Sequence, residues 1–330
     1  MISRRQIVLA LGAGAVSAPL SSFAQKADKV WRVGFLTARR RPDSIDTDFI
    51  GGLPRGLREL GYVEGKNLVI EWRFTDGIAE RLPELAAELV RLKLDVIVSG
   101  SSQAISALQK ATSTIPIVMA TSGDPIGSGF VASLARPGGN ITGLSNQFGD
   151  LSPKQLELLL AVVPKLSRVA VLVNPVNSSS VSLLKNAQSA ARRTNVKLLP
   201  LEAQTEPEIE NAFASMAREK AGAAIVMVDA FFIQQRRAIA NLAVKHRLPS
   251  ISGNREFAEA GGLMSYGPDL REQFRRAAIY VDKIFKGAKP GDLPVEQSAT
   301  FEFLINERTA KALQLTVPKV VLFQADRVID

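Results

Sequence analysis

The sequence predicts an α/β protein with two doubly wound lobes of parallel strands that share a cleft. Short apolar runs alternate with longer segments of helical period from residue 30 onwards, as in successive βα units. The apolar runs are almost uninterrupted, which is typical of parallel strands covered by helices on both faces. Two series of about four or five such units, each of roughly 110 to 130 residues, indicate two domains.

The first series extends to residue 144. Gly61 follows its first helical segment, and Leu82, Leu85 and Leu89 form one face of the second. A turn rich in glycine and proline at 136–140 precedes the last strand. We predict strands over 30–36, 67–74, 95–99, 115–120 and 141–144, and helices over 49–60, 80–92, 102–111 and 125–134.

The second series begins at Ser152, which is predicted to cap a helix with Pro153 at its first position. The division between the series falls near 141–152 and lacks a low-complexity linker, so we expect short segments to join the lobes. The stretch from residue 295 to 330 mixes strand and short-helix patterns. We predict helices over 152–163, 178–194, 206–220, 233–246 and 270–286, and strands over 168–173, 196–201, 223–228, 249–252 and 262–265.

Composition excludes much catalytic chemistry. The 330 residues contain no cysteine and one histidine, His246, so thiol nucleophiles, disulfides and cysteine-ligated metals are excluded. Phosphate-binding loops and metal-ligand spacings are also missing from the sequence, which therefore predicts neither a metal nor a cofactor. The net charge of +9 is scattered over separate arginine pairs, among them Arg236-Arg237, which we interpret as solvated surface. This scatter argues against nucleic acid as a partner. Arg39 is the exception, because it follows the first strand and could reach the cleft.

Residues 1–24 are predicted to be an export signal. Arg4 and Arg5 precede an apolar run of about 12 residues, shorter than the ~20 needed to cross a bilayer. Small residues before the expected cleavage site after Ala24 complete the pattern. The paired arginines fit the twin-arginine export route, with the general route as the alternative. The apolar run is not followed by a cysteine for lipid attachment, so we expect a free, soluble protein in the periplasm.

Small and polar residues cluster where the predicted strands end, which is where open α/β sheets bind ligands. Ser101 and Ser102 open a helix whose free N–H groups favour a carboxylate or phosphate. Acidic residues at these ends could pair with an ammonium group, and aromatic residues could pack against an apolar side chain. The predicted ligand-binding residues are Thr37, Arg39, Ser99, Ser101, Ser102, Thr121, Ser122, Asp124, Asn174, Asn177, Asp229, Phe231, Glu256 and Tyr266.

Each of these residues also has a purely structural interpretation. Ser102 and Asp124 could simply cap helices, and Phe231 could belong to a core. Asn174 could form a turn, and Glu256 could pair with a neighbouring arginine. The binding interpretation depends on polar strand ends from both series meeting at one cleft.

Several tracts identify a resemblance that runs from about residue 30 to the C-terminus. They are residues 57–67, 82–86, 123–129, 136–143, 260–267 and 286–290, which read LRELGYVEGKN, LPELA, GDPIGSG, RPGGNITG, AGGLMSYG and KGAKP. Together they resemble the ABC-transporter substrate-binding proteins of the tryptophan/tyrosine-uptake type.

The resemblance implies a type I periplasmic-binding-protein fold with two lobes joined by three crossing segments. Residues 25–145 plus about 268–300 would form the N-terminal lobe, and 146–267 plus about 301–330 the C-terminal lobe. Hydroxyls from Ser101 or Ser102 and from Thr121 or Ser122 would hold an α-carboxylate, and Asp229 or Glu256 the amine. It also implies ABC permease and ATPase partners at the inner membrane, and a monomer as the default state.

The sequence therefore favours a solute receptor of an import permease that closes around one ligand. An exported sensor that reports to a membrane signalling protein is an alternative with the same fold. A carboxylate-dependent enzyme acting through Asp124 is a further alternative. A transcription repressor of this fold is disfavoured, because the N-terminus reads as a leader and not as a DNA-binding helix pair.

Overall fold

A computed structural model describes residues 29–146, 148–297 and 301–330, without the side chains of 148–150. The predicted leader over residues 1–24 lies outside the described residues. Within the described residues, the strands form two sheets, as the alternation of apolar runs and helical segments predicts. We call each sheet, with the helices that pack on it, a lobe.

The first lobe is built on six strands in the order β11-β5-β4-β3-β1-β2, as far as the chain is described. All of its strand pairs are parallel. These strands are β1 (Trp31–Thr37), β2 (Leu68–Phe74), β3 (Val96–Ser99), β4 (Ile117–Met119), β5 (Ile141–Ser145) and β11 (Glu296–Gln297).

The second lobe contains seven described strands in the order β13-β12-β10-β9-β8-β6-β7. They are β6 (Arg168–Val173), β7 (Lys197–Glu202), β8 (Ala223–Val226), β9 (Ser250–Ser252), β10 (Met264–Pro268), β12 (Phe301–Asn306) and β13 (Arg327–Ile329). The sheet is parallel except that β10 and β12 run antiparallel. This exception arises where the final stretch of the chain, the part least readable from sequence, joins the sheet.

Helices cover the sheets. On the first lobe lie α1 (Gly52–Glu59), α2 (Leu82–Arg91), α3 (Ser102–Ala111) and α10 (Leu270–Phe285). On the second lobe lie α4 (Phe148–Val162), α5 (Ser180–Arg192), α6 (Glu206–Arg218), α7 (Ala230–Gln234), α8 (Arg236–Lys245), α9 (Arg255–Glu259), α11 (Glu307–Ala312) and α12 (Lys319–Leu322). None of the described helices combines the length and apolar character that spanning a bilayer requires.

One helix prediction is wrong, one has a misplaced start and one is divided. Residues 125–134 form turns. The Asp124 carboxylate accepts from the Gly127 N–H at 2.8 Å as a helix cap would, but Gly129, with a φ of 71°, leaves the helical conformation after one turn. Helix α4 begins at 148 and contains Pro153, which removes only one N–H near the start of the helix. The predicted helix over 233–246 is two helices, α7 and α8, that meet at Gln235.

The core follows the alternation of side chains along the strands. In β1, Val33 and Phe35 are buried on the side covered by α1 and α10, whereas Leu36 faces α2 and α3. In β6, Val169 and Ala170 likewise enter clusters on opposite faces of the second sheet. Both sheets are therefore buried on both faces, which accounts for their almost uninterrupted apolar strands.

The chain passes between the lobes at three points among the described elements. Strand β5 belongs to the first sheet, and the next helix, α4, packs on the second. Strand β10 belongs to the second sheet, and α10 packs on α1 of the first lobe. Strand β11 pairs with β5 of the first sheet, and the next strand, β12, pairs with β10 of the second, which gives the third passage. The carboxyl ends of the central parallel strands of both sheets consequently face one cleft.

Candidate ligand-binding cleft

The cleft contains a small central cavity that both lobes line. Eight predicted site residues line it, and its volume is about 40 Å³. One buried water needs a cavity of roughly 10–15 Å³, so the central cavity has room for a group about the size of a carboxylate. The predicted residues that line it are Thr37, Arg39, Ser101, Ser102, Thr121, Ser122, Asn177 and Asp229.

Hydroxyl groups and one amide of the first lobe form the floor of the central cavity. Ser101 caps α3, and its Oγ lies 3.4 Å from the backbone nitrogens of both Ala104 and Ala38. Thr121 Oγ1 accepts from the Asn146 side chain. Ser122 Oγ and Gln103 Oε1 are buried and have no hydrogen-bond partner among the described residues. These two atoms are free to bind a ligand, and an unpaired buried polar atom is costly otherwise.

Asp229, at the start of α7, forms the opposite wall. Its carboxylate accepts from Gln103 Nε2 at 2.7 Å, from Asn174 Nδ2 and Asn177 Nδ2 at 3.0 Å each, and from the Phe231 N–H at 2.9 Å. A carboxylate offers about four lone-pair sites, so these donors saturate it. A ligand ammonium group would have to displace one of them. Gln103 is the donor that comes from the first lobe.

Arg39 lines the central cavity from the end of β1, as its sequence position suggested. Its guanidinium binds both oxygens of the Asp48 carboxylate, at 3.1 and 2.9 Å, and lies 4.4 Å above the centre of the Phe49 ring. The Nε atom is buried without a partner in the described part of the chain. Burial opposes ionisation of Asp48, but the Arg39 pair and the Ile50 N–H outweigh it and lower the pKa of that carboxyl. The pair fixes the position of the Arg39 guanidinium beside the cavity.

Serines connect the lobes at the front of the cleft. Ser102 Oγ lies 3.2 Å and Ser128 Oγ 3.4 Å from Ser179 Oγ of the second lobe. Ser178 Oγ donates to Ser128 Oγ at 3.1 Å. With the Gln103–Asp229 bond, these contacts hold the lobes together across the cleft.

The other predicted site residues lie elsewhere. Asn174 and Phe231 line a front cavity of about 570 Å³. Ser99 donates to the Leu36 carbonyl within the first sheet, Asp124 caps a turn, and Tyr266 packs beside Phe301. These last three do not line the cavities described here. Asp124 accepts from a backbone N–H as a cap does, but the helix that its structural interpretation expected is a turn.

Glu256 lines a third, lateral cavity of about 390 Å³, together with Arg236. Burial raises the pKa of the Glu256 carboxyl. Arg236 is half-buried, so its interpretation as solvated surface is wrong. The sequence also did not single out Gln103, Ser179 or Phe49, which line the central cavity. Gln103 and Ser179 make contacts that cross between the lobes, and Phe49 packs on Phe274 of the returning helix α10. Local sequence patterns encode neither kind of contact.

The described residues contain no cluster of three or more histidine, cysteine or carboxylate side chains that could hold a metal ion. His246 caps the end of α8, which is the structural position that the sequence predicted. The arrangement in the cleft is suited to binding by hydrogen bonds and charge.

Comparison with known families decides the assignment. The family described as ABC transporter substrate binding protein matches residues 42–329. The chain belongs to this family. Its description is that of binding proteins, not enzymes, in agreement with the resemblance seen in the sequence.

Individual relatives agree. The chain is 27% identical over 264 residues to a tyrosine-binding protein of Clostridioides difficile, covering 80% of this chain and 76% of that protein. A conserved domain protein from Vibrio cholerae superposes with a TM-score of 0.85 and 28% identity, covering 91% of this chain and 100% of that one.

A third relative was solved with a bound ligand. An ABC domain in complex with L-Trp from Streptococcus pneumoniae superposes with a TM-score of 0.83 and 26% identity, over 91% of this chain and 99% of that one. A solute-binding protein from Bacillus halodurans with bound myo-inositol, at 11% identity and a TM-score of 0.57, shares the fold alone. The fold is that of type I periplasmic binding proteins, as the sequence predicted.

Proposed function

We propose that this chain is the periplasmic receptor of an ABC importer, and that it captures an amino acid or a related small carboxylate by closing its two lobes. Relatives that are named for tyrosine binding and solved with L-Trp support the amino-acid class. The observation that carries the proposal is the floor of the central cavity, where Ser122 Oγ is buried and unpaired beside the start of α3 among the described residues. A carboxylate there would accept from the hydroxyl and from the positive end of the helix.

The lobe boundaries are part of the proposal. The N-terminal lobe comprises residues 25–145 plus about 268–300, and the C-terminal lobe 146–267 plus about 301–330. The three passages of the chain between the sheets support these bounds and a hinge at the passages. Closure brings Gln103 to Asp229 and Ser102 to Ser179, so ligand binding and lobe contact stabilise the same state.

The cellular setting follows from the leader and the family. The predicted signal over residues 1–24, with cleavage after Ala24, supports export to the periplasm. The partners are the permease and ATPase subunits of the importer at the inner membrane, and the receptor works as a monomer. The receptor's task is to bind and release one solute.

Thermal unfolding of the purified protein tests the function. The protein is unfolded and refolded to remove bound solute, and then mixed with single amino acids, including tyrosine and tryptophan, and with small carboxylates. A ligand at about 100 times its Kd adds about 2.7 kcal/mol to the free energy of unfolding. At roughly 2–4 °C per kcal/mol, the midpoint rises by about 5–10 °C. A panel in which no amino acid or carboxylate shifts the midpoint contradicts the proposal.

A matched pair of variants locates the site. Ser122→Ala removes an unpaired buried hydroxyl in the central cavity, so the unliganded protein keeps or gains stability while Kd rises about 5- to 30-fold. Ser250→Ala removes a comparably buried and unpaired hydroxyl from β9, outside the three cavities described above. It leaves Kd unchanged. Equal effects of the two variants on Kd would place the ligand elsewhere.

A further inference from the structure

The central cavity is too small for a whole amino acid or dicarboxylate. At about 40 Å³ it accommodates one carboxylate-sized group, so the rest of the ligand extends into an adjoining space. The lateral cavity, about 390 Å³, adjoins it and shares Arg39, Phe49 and Ile233 with it. The front cavity also adjoins it, but its charged lining residues are Glu80 and Glu208. The two outer cavities therefore favour opposite charges.

Most charges of the lateral cavity are already paired. Arg39 binds Asp48, Arg255 binds Glu259 and Glu302, and Arg271 donates to the backbone carbonyls of Asp46 and Thr47. Asp269 accepts from the Arg271 and Glu272 N–H groups at the start of α10. Among these groups, Arg39 keeps one buried donor, its Nε, without a partner in the described residues.

Two arginines that line this cavity, Arg236 and Arg237, form no ion pair within the described residues. Arg237 is exposed, whereas Arg236 is not. Arg236 is half-buried at the start of α8, and its Nη1 donates to the Ile233 carbonyl at 2.9 Å. Throughout the described residues, no carboxylate lies within 4.0 Å of its guanidinium. Burial and the nearby Arg39 both lower the pKa of Arg236, whereas Glu256 and Asp48 favour its charged form. A half-buried guanidinium without an anionic partner is costly.

Arg39 and Arg236 belong to opposite lobes and line the same cavity. Their like charges repel, and Asp48, which is bound to Arg39, offsets part of that repulsion. The unpaired Arg39 Nε and the free Arg236 N–H groups are donors for one anionic group placed between them. Glu256 does not supply the anion between the two arginines. Burial raises the pKa of its carboxyl, and its side chain accepts from Asn254 Nδ2.

We propose that the ligand carries two anionic groups, one in the central cavity beside Ser122 and a second in the lateral cavity between Arg39 and Arg236. This inference rests on the proposed function and names its substrate class: a small dicarboxylate or an amino acid with an acidic side chain. The second group joins the lobes, since it binds one arginine from each. A singly charged ligand leaves the repulsion between the arginines in place.

Matched ligands test the charge requirement. Succinate, glutarate, adipate and L-glutamate are titrated calorimetrically against succinamate, glutaramate, adipamate and L-glutamine, which have nearly the same shape and one carboxylate fewer. We expect at least one diacid to bind about tenfold or more tightly than its half-amide, the effect of one charge-assisted contact. A half-amide, tyrosine or tryptophan that binds as tightly as every diacid overturns the inference and leaves the proposed function standing.

Variants test the arginine. Arg236→Gln reduces the preference for the diacid to within about twofold, because it removes the charge and keeps a donor. Arg308→Gln, at an exposed arginine on α11, removes the same charge and keeps the preference. A preference that survives in Arg236→Gln overturns the inference, and thermal unfolding of each variant confirms that it is folded. Failure of every carboxylate and amino acid to bind the wild-type protein contradicts the proposed function itself, and the inference with it.

Discussion

Three buried atoms on residues that line the central cavity lack partners within the described chain: Ser122 Oγ, Gln103 Oε1 and Arg39 Nε. Asp229, by contrast, accepts four hydrogen bonds. Native proteins satisfy most buried polar groups, so unpaired ones in a cavity mark where a ligand supplies the missing bond. The saturated Asp229 has a different role. It fixes the loop of Asn174 and Asn177 and receives Gln103 when the lobes meet. The polar residues of this cavity thus differ in role: the unpaired atoms are the proposed ligand contacts, and Asp229 is a contact between the lobes.

Glu256 provides a prediction at the same scale. Burial raises the pKa of its carboxyl in the folded protein above the ordinary 4.5. Between pH 4.5 and the raised pKa, the folded protein therefore holds a proton that the unfolded chain has released. The stability that this proton confers is complete below about pH 4.5 and is lost as the pH rises through the folded value. Glu256→Gln cannot ionise. Its free energy of unfolding therefore exceeds that of wild type at neutral pH, and the difference shrinks towards pH 4.5.

Denaturant unfolding at a series of pH values measures this difference. Glu210→Gln, on the exposed face of α6, corrects for the change in net charge. A Glu256→Gln difference that is constant with pH, after this correction, would show that the Glu256 carboxyl has its ordinary pKa in the folded protein.

At the scale of elements, the close contact of α1 and α10 fixes the frame of the first lobe. Gly52 and Gly56 face α10, and a Cβ at either position would overlap a backbone carbonyl, that of Arg271 or of Arg275. The short distance brings Leu270 and Phe274 of α10 to the wall of the central cavity. A helix returning late in the chain thereby contributes to a site that otherwise consists of strand ends.

Gly56→Ala tests this packing. The new methyl group would meet the Arg275 carbonyl and lie 2.9 Å from the Ala278 Cβ, so the helices must separate. We expect a loss of about 1–3 kcal/mol in the free energy of unfolding, the usual cost of overpacking. Gly139→Ala is the control, because a Cβ at position 139 would have no atom within 4 Å. We expect it to change the free energy of unfolding by less than about 0.5 kcal/mol. Equal unfolding midpoints for the two variants would contradict the close approach.

Sequence patterns predicted elements better than they predicted the site. Helix α3 has the predicted bounds, 102–111, because Ser101 caps it and its apolar positions repeat with helical period. The predicted helix over 125–134 failed because Gly129 adopts a left-handed conformation, with a φ of 71°, and ends the first turn. Arg236 was interpreted as surface because its burial depends on the other lobe, and contacts across a cleft leave no local pattern. Strand-end polarity nevertheless located eight of the central-cavity residues.

At the scale of the whole molecule, the two lobes meet through few direct contacts. Besides the serines and the Gln103–Asp229 bond, the Arg40 N–H donates to Gln234 Oε1 at 2.8 Å and Ile233 packs into the core of the first lobe. Such contacts are weak individually, and Arg39 and Arg236 oppose them. A ligand that bonds to both lobes therefore shifts the population towards the closed state by the difference in its affinity for the two states.

The central claim is that a ligand bound in the cleft closes the lobes, and a distance measurement across the front cavity tests it most directly. The chain contains no cysteine, so Glu80→Cys and Gln204→Cys, exposed on opposite lobes, can be spin-labelled at these two positions alone. Pulsed electron paramagnetic resonance then gives the distance between the labels with and without the carboxylate that most raises the unfolding midpoint. The account predicts a narrow distribution at short distance with the ligand and a broader, longer one without it. A distribution that saturating ligand leaves unchanged would contradict capture by closure.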